Sequence, residues 1–151
     1  MNKVYIYTDG GCRGNQNAEN IGAWAYYMEY KGAYRQEYQA VKNTTNNIME
    51  LTAIIEALKF LKRKDIEIEV FSDSAYCVNG VNQWRHNWKK KGWVKSDKKP
   101  VENKELWIEL DSLVDSFNKI VFTKVKGHAD NQGNILVDGL VNRAMNEMEE
   151  K

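Results

Sequence analysis

Four carboxylates, Asp9, Glu50, Asp73 and Asp138, stand far apart in this 151-residue chain. Each falls where the residue pattern ends a strand or begins a helix. Brought into one pocket they would form a divalent-metal site for phosphate chemistry, because like charges a few ångströms apart cannot all stay ionised without a compensating cation. Each also has an ordinary explanation. Asp9, in Thr8-Asp9-Gly10-Gly11, can be a turn aspartate satisfied by local backbone N–H groups. Glu50 fits the third position of a capping box, Asn47-x-x-Glu50, although it lies one turn before Ile54 and so shares the apolar side of its helix. Asp73, in Phe71-Ser72-Asp73-Ser74, can cap the helix that follows, and Asp138 can serve a helix dipole.

The elements around these residues decide whether they can meet. Residues 3–9 are β-branched and aromatic, apolar on both parities, and read as a buried central strand stopped by the glycine pair. Runs at 21–30 and 33–41, separated by Lys31-Gly32, complete an antiparallel meander. Residues 47–62 switch to helical spacing (Leu51, Ile54, Ile55, Leu58, Leu61) after the capping-type residues Thr44, Thr45, Asn46 and Asn47. A fourth strand, 66–72, then returns beside the first by a helical crossover. Asp9 and Asp73 would both sit at strand C-terminal ends, the edge where open α/β sheets bind ligands. Residues 75–91 are helical in one or two pieces, 103–117 form another helix, and 119–125 a fifth strand. A loop, 126–132, leads to a last helix whose start the apolar run Ile135-Leu136-Val137 leaves uncertain.

Composition places the chain among compact globular domains, with 42% hydrophobic residues, 28% charged residues and one proline. No apolar run is long enough to span a bilayer and no signal segment is evident, so a cytoplasmic location is expected. Cys12 and Cys77 lack paired zinc spacing and are expected to be reduced. The net charge of +1 hides an asymmetry. Residues 85–99 carry seven basic side chains and one acid, a net +6 with histidine neutral, against 15 basic and 20 acidic residues elsewhere. A basic segment on an acidic body suits a polyanionic partner.

Taken in order, Tyr7-Thr8-Asp9-Gly10, Thr44-Thr45-Asn46-Asn47-Ile48-Met49-Glu50-Leu51, Phe71-Ser72-Asp73-Ser74, Val125-Lys126-Gly127-His128 and Asp138 resemble the type 1 ribonuclease H family. The resemblance covers nearly the whole chain. The stretches from Gln83-Trp84 to Trp93 and Lys98-Lys99-Pro100-Val101 are similar to the basic protrusion of the bacterial-type enzymes, at about residues 82–100. It implies a single α/β domain over residues 1–151, with a five-stranded mixed sheet flanked by helices. It also implies endonucleolytic cleavage of the RNA strand of RNA/DNA hybrids by two-metal-ion phosphodiester hydrolysis, leaving 5′-phosphate and 3′-hydroxyl ends.

By the same resemblance the cofactor is Mg2+, two ions per site, with Mn2+ as a substitute. Asp9 would bridge both ions, Glu50 and Asp73 would hold the one on the leaving-group side, and Asp138 would help hold the one that activates water. His128 would assist proton transfer or product departure. Gly14, Asn46 and Asn47 would lie near the RNA strand, and Asn15, Thr45 and Asn46 around a DNA phosphate. Lys89, Lys90 and Lys91 would grip the DNA strand, with Trp84, Trp88 and Trp93 shaping the surface, although the tryptophans read first as core. No membrane and no obligate protein partner is implied, and a monomer is expected.

The chain departs from the family at several positions. Gln16-Asn17-Ala18-Glu19-Asn20 replaces a loop rich in proline and glycine, Ala75 stands where glutamine is common, and Ile48 where arginine is frequent. None removes a candidate metal ligand. A phosphate-binding NTPase is excluded, since Gly10-Gly11-Cys12-Arg13-Gly14 is not followed by Gly-Lys-Ser/Thr. A calcium loop at Asp130-x-Gln132 fails because Gly133 is misplaced. Two rival readings stay open: a catalytically silent hybrid-binding module, and a DNA-directed nuclease of the wider ribonuclease H-like group.

Overall fold

The computed structural model describes residues 3–14, 19–126 and 131–150. Five strands, β1 (Lys3–Arg13), β2 (Ile21–Tyr30), β3 (Ala33–Lys42), β4 (Glu67–Ser72) and β5 (Lys119–Lys124), form one mixed sheet in the order β3-β2-β1-β4-β5. The first three pair antiparallel, while β4 runs parallel to β1 and β5 parallel to β4. The expected meander and crossover are both present. Lys31 and Gly32 turn the β2–β3 hairpin with positive φ at each, 50° and 84°, as a tight two-residue connection requires.

The first strand is longer than its sequence pattern suggests. The glycine pair does not stop it: Gly10 and Gly11 stay in register with Trp24 and Ala23 of β2, and pairing continues to Arg13. What ends at this point is the pairing to β4, at Tyr7–Phe71. Gly10 serves a different purpose, because a Cβ there would lie 2.5 Å from the Glu50 nitrogen and the Met49 carbonyl carbon. Glycine in a strand interior here marks the close approach of another backbone.

Five α-helices accompany the sheet: α1 (Asn46–Phe60), α2 (Ala75–Asn79), α3 (Arg85–Lys90), α4 (Lys104–Asp115) and α5 (Gln132–Glu149). A single π-type turn, Gly80–Trp84, joins α2 to α3, so the run from 75 is one helical path with an irregular middle. Ile6, Leu51, Ile54, Leu58, Ile68, Trp107 and Leu110 bury one apolar cluster that the sheet shares with α1 and α4. On the other face Ala23 and Ala25 give α5 room to seat Val137, Leu140, Val141, Ala144 and Met145. The apolar run 135–137 belongs to α5 itself, which Asn131 caps by accepting from the Asn134 N–H at 3.1 Å. The Tyr7 ring lies over Gly133 where any side chain would stand, fixing the start of α5 against β1. No described helix is long and apolar enough to cross a membrane.

Candidate active site

Asp9, Glu50 and Asp73 come together: each offers a carboxylate oxygen, and these atoms all lie within 4.8 Å of one another. Backbone register explains the meeting. The parallel pairing ends at Tyr7–Phe71, and the same register extended two residues along both chains sets Asp9 beside Asp73, just past the end of β4. Gly10 then admits the first turn of α1 against β1, which delivers Glu50.

None of the ordinary explanations for these acids holds in the fold. The cap of α1 is Thr45, whose Oγ1 accepts from the Ile48 N–H at 3.1 Å, so Glu50 is not part of a capping box on Asn47. The cap of α2 is Ser74, whose hydroxyl accepts from the Cys77 N–H at 3.1 Å, which releases Asp73. Asp9 sits inside a continuing strand opposite Ala25, not in a turn. Asp138 lies beyond the first turn of α5, where the dipole effect has largely faded. It stands close enough to Asp9 to raise that carboxyl's pKa, and it lines the same cleft.

The electrostatics are those of a repulsive cluster. Burial, followed by the Asp73 charge and then Asp138, pushes Asp9 up to about 7, against the pull of the Gly10 N–H. Burial, with Asp9 and Asp73 adding to it, pushes Glu50 up to about 10. Glu50 Oε1 and Asp73 Oδ1 are inaccessible and have no hydrogen-bond partner among the described residues. Buried carboxylate oxygens are rarely left this way unless a cation completes them. An all-oxygen donor set of this kind suits a hard divalent ion, so the residues present fit the metal expected from the sequence. Cys77 is buried beneath the cluster and Cys12 lies beside it, both as free thiols. Burial raises both their pKa values, to about 12 for Cys77, which keeps them poor nucleophiles.

The cleft over the acids has a volume of about 390 Å3 and is also lined by Asn46, Asn47, Arg13 and Asn142. The segment before α1 is held in place by Asn20, whose side chain donates to the Thr44 carbonyl at 2.7 Å and accepts from the Thr44 N–H at 2.9 Å. Nothing in the sequence signals that clamp. Gly14 is exposed just beyond β1. Asn15 and His128 lie outside the described residues.

The basic protrusion differs from the simple picture of a free lysine run. Lys89 is engaged by Asp111 at 3.0 Å and Asp115 at 2.8 Å, and buried Arg85 pairs with the same two acids. These cations and carboxylates pin α3 to α4, leaving Lys90, Lys91, Lys95, Lys98 and Lys99 without ion pairs among the described residues. Trp88 packs edge-on to buried Trp107 with ring centroids 5.3 Å apart, while Trp84 is 38% exposed. Ile48 packs against the core and Ala75 is exposed at the start of α2. Arg13 and Asn142 were not anticipated as cleft residues. An arginine after a glycine-rich strand end and a polar residue one turn past Asp138 carry no distinguishing local pattern.

Comparison with known proteins agrees with this geometry. The family model for RNase H matches residues 1–146. A ribonuclease H from Clostridium botulinum (strain Hall) is 49% identical over 148 residues, covering 97% of this chain and 98% of its own length. The crystal structure of LC9-RNase H1, a type 1 RNase H with the type 2 active-site motif, superposes with a TM-score of 0.84 at 29% identity, over 97% of this chain and 74% of that one. LC11-RNase H1, crystallised in complex with an RNA/DNA hybrid, superposes with a TM-score of 0.71 at 26% identity, over 97% and 99% of the two chains. With a strand, a helix N-terminus and a sheet edge converging three acids beneath a polar cleft, and with near full-length likeness on both measures, this chain belongs to the ribonuclease H family.

Proposed function

We propose that this protein cleaves the RNA strand of RNA/DNA hybrids endonucleolytically, leaving 5′-phosphate and 3′-hydroxyl ends, as one domain acting as a cytoplasmic monomer. The observation that carries the reading is the Asp9, Glu50 and Asp73 cluster, with two inaccessible carboxylate oxygens lacking partners among the described residues, at the floor of an open polar cleft. Two Mg2+ ions, replaceable by Mn2+, would be held by Asp9 in common, by Glu50 and Asp73 on one side and by Asp138 on the other, and would stabilise the attacking and leaving oxygens of an in-line displacement.

The chain's own residues supply the rest. The Asn46 and Asn47 amides at the cleft rim can donate to and accept from ribose 2′-hydroxyls, the feature that separates RNA from DNA. Gly14 lets the backbone approach the RNA strand, while Thr45 and Asn15 contact a DNA phosphate and His128 moves a proton or speeds product departure. Lys90 and Lys91, together with Lys95, Lys98 and Lys99, hold the DNA strand across the surface shaped by Trp84 and Trp88. Lys89 contributes mainly by anchoring α3.

The test is product analysis on a labelled hybrid with magnesium, beside RNA-duplex and DNA-duplex controls. Cleavage confined to the hybrid, with 5′-phosphate ends, is expected, and Asp9→Asn should abolish it. A wild-type protein that binds hybrid without cutting it would establish the silent binding module instead. Preferential cutting of the DNA duplex would favour the DNA-directed reading.

A further inference from the structure

Among the described residues lining the acidic cleft, one is a cation: Arg13, at the end of β1. Its guanidinium reaches across to α5. It donates to the Asn142 side-chain oxygen at 3.2 Å, to the Asn142 carbonyl at 3.4 Å and to the Asn146 side-chain oxygen at 2.7 Å, and it ion-pairs with Glu149. Three of these four acceptors are neutral. They orient the guanidinium without cancelling its charge. The single charged partner, Glu149, is 48% exposed at the C-terminal end of α5, where the helix dipole disfavours a negative charge. Exposed pairs of this kind hold weakly and exchange readily.

The position of Arg13 relative to the acids is the second half of the argument. Asn142 and Asn146 lie one and two turns along α5 from Asp138, roughly 6 and 12 Å at 1.5 Å per residue. A nucleic-acid strand is lined by closely spaced phosphates, so a strand whose scissile phosphate sits on the carboxylates can place another phosphate, a few nucleotides along at most, beside Arg13. Guanidinium also matches phosphate with two parallel N–H donors, a geometry lysine lacks.

We propose that Arg13 is a substrate-binding residue that grips a backbone phosphate of the cleaved strand a few nucleotides from the scissile bond, with Glu149 as an occupant that the phosphate displaces. This rests on the hybrid-cleaving reading and adds the phosphate contact on the α5 side of the cleft. It assigns Glu149 a restraining role: while paired to Arg13, it competes with the substrate.

The experiment measures hybrid affinity by fluorescence anisotropy in EDTA, across 50–200 mM salt, for wild type, Arg13→Gln, Arg13→Lys, Glu149→Gln and the Arg13→Gln/Glu149→Gln double variant. Loss of one phosphate contact should lower the slope of log affinity against log salt by about 0.7 to 0.9 in Arg13→Gln, with affinity falling roughly five- to tenfold at the lowest salt, while Arg13→Lys should keep the slope and lose part of the affinity. Glu149→Gln should bind hybrid about two- to fivefold more tightly, and only when Arg13 is present. An unchanged slope in Arg13→Gln with a lowered melting temperature would make Arg13 a structural tie between β1 and α5 and overturn the proposal. So would a Glu149→Gln protein that binds no better than wild type, an outcome that still decides the matter if Arg13→Gln fails to fold. Cleavage of hybrid by wild type in magnesium is scored separately, so failure of the catalytic reading is distinguishable from failure of this one.

Discussion

At neutral pH the metal-free cluster retains protons that free carboxyls would have lost, since burial and mutual repulsion push Glu50 up to about 10 and Asp9 up to about 7. The consequence for stability follows from linkage. Between an unfolded value near 4 and the raised folded value, the native state binds more protons than the unfolded one, so stability falls as pH rises. For Asp9 that loss runs from about pH 4 to about pH 7, and Glu50 extends it, with the same sign, toward pH 10. A shift of the size seen at Asp9 corresponds to about 4 kcal/mol, shared across a coupled cluster rather than owned by one group. Denaturant unfolding of wild type in EDTA should therefore show stability declining from pH 5 to 8. Asp9→Asn should flatten that decline and raise stability at pH 8 by up to about 4 kcal/mol, while removing activity. A variant less stable than wild type in EDTA at pH 8 would mean that the acids do not repel. All four acids could be suspected from residue type and position. Their competing cap and turn roles could not be dismissed until Thr45, Ser74 and Asn131 were found capping α1, α2 and α5.

The elements show how a basic segment becomes a shaped surface. Arg85 and Lys89, one turn apart on α3, face Asp111 and Asp115, one turn apart on α4, so two of the three cations on the helix are spent on docking it. Removing one partner of a buried pair leaves an uncompensated charge. Asp111→Ala should destabilise the protein by about 3 kcal/mol, the low end for such pairs because Asp115 remains. Lys90→Gln and Lys91→Gln should change stability by less than about 0.5 kcal/mol, and each should lower the salt slope of hybrid binding by about 0.7 to 0.9. Equal losses of stability across all three variants would contradict this division of labour. The sequence showed where the positive charge lies. It could not show which lysines are already paired, because Asp111 and Asp115 belong to a helix separated from α3 by an irregular loop.

For the whole molecule, metal binding and folding are one equilibrium. A cation that binds only the folded cluster should stabilise it by about 2.7 kcal/mol when present at 100 times its dissociation constant. The gain should grow from pH 6 to pH 8 as the carboxylates lose their protons. Melting temperatures measured with magnesium and with EDTA across that range check both statements, and Asp9→Asn should lose most of the response. Periodicity alone determined the meander, the crossover, five strands and the main helices, because those patterns are local and follow from which face each residue must bury. The ordered motifs also determined the candidate acids. Only the tertiary structure decided that β1 runs through its glycines, that Gly10 exists to let α1 approach, and that Asn20 clamps the segment before α1. It alone decided that Lys89 is anchored and that Arg13 crosses to α5. Each of these depends on what a residue meets from a distant part of the chain, and close approach and charge pairing leave no periodic trace in sequence.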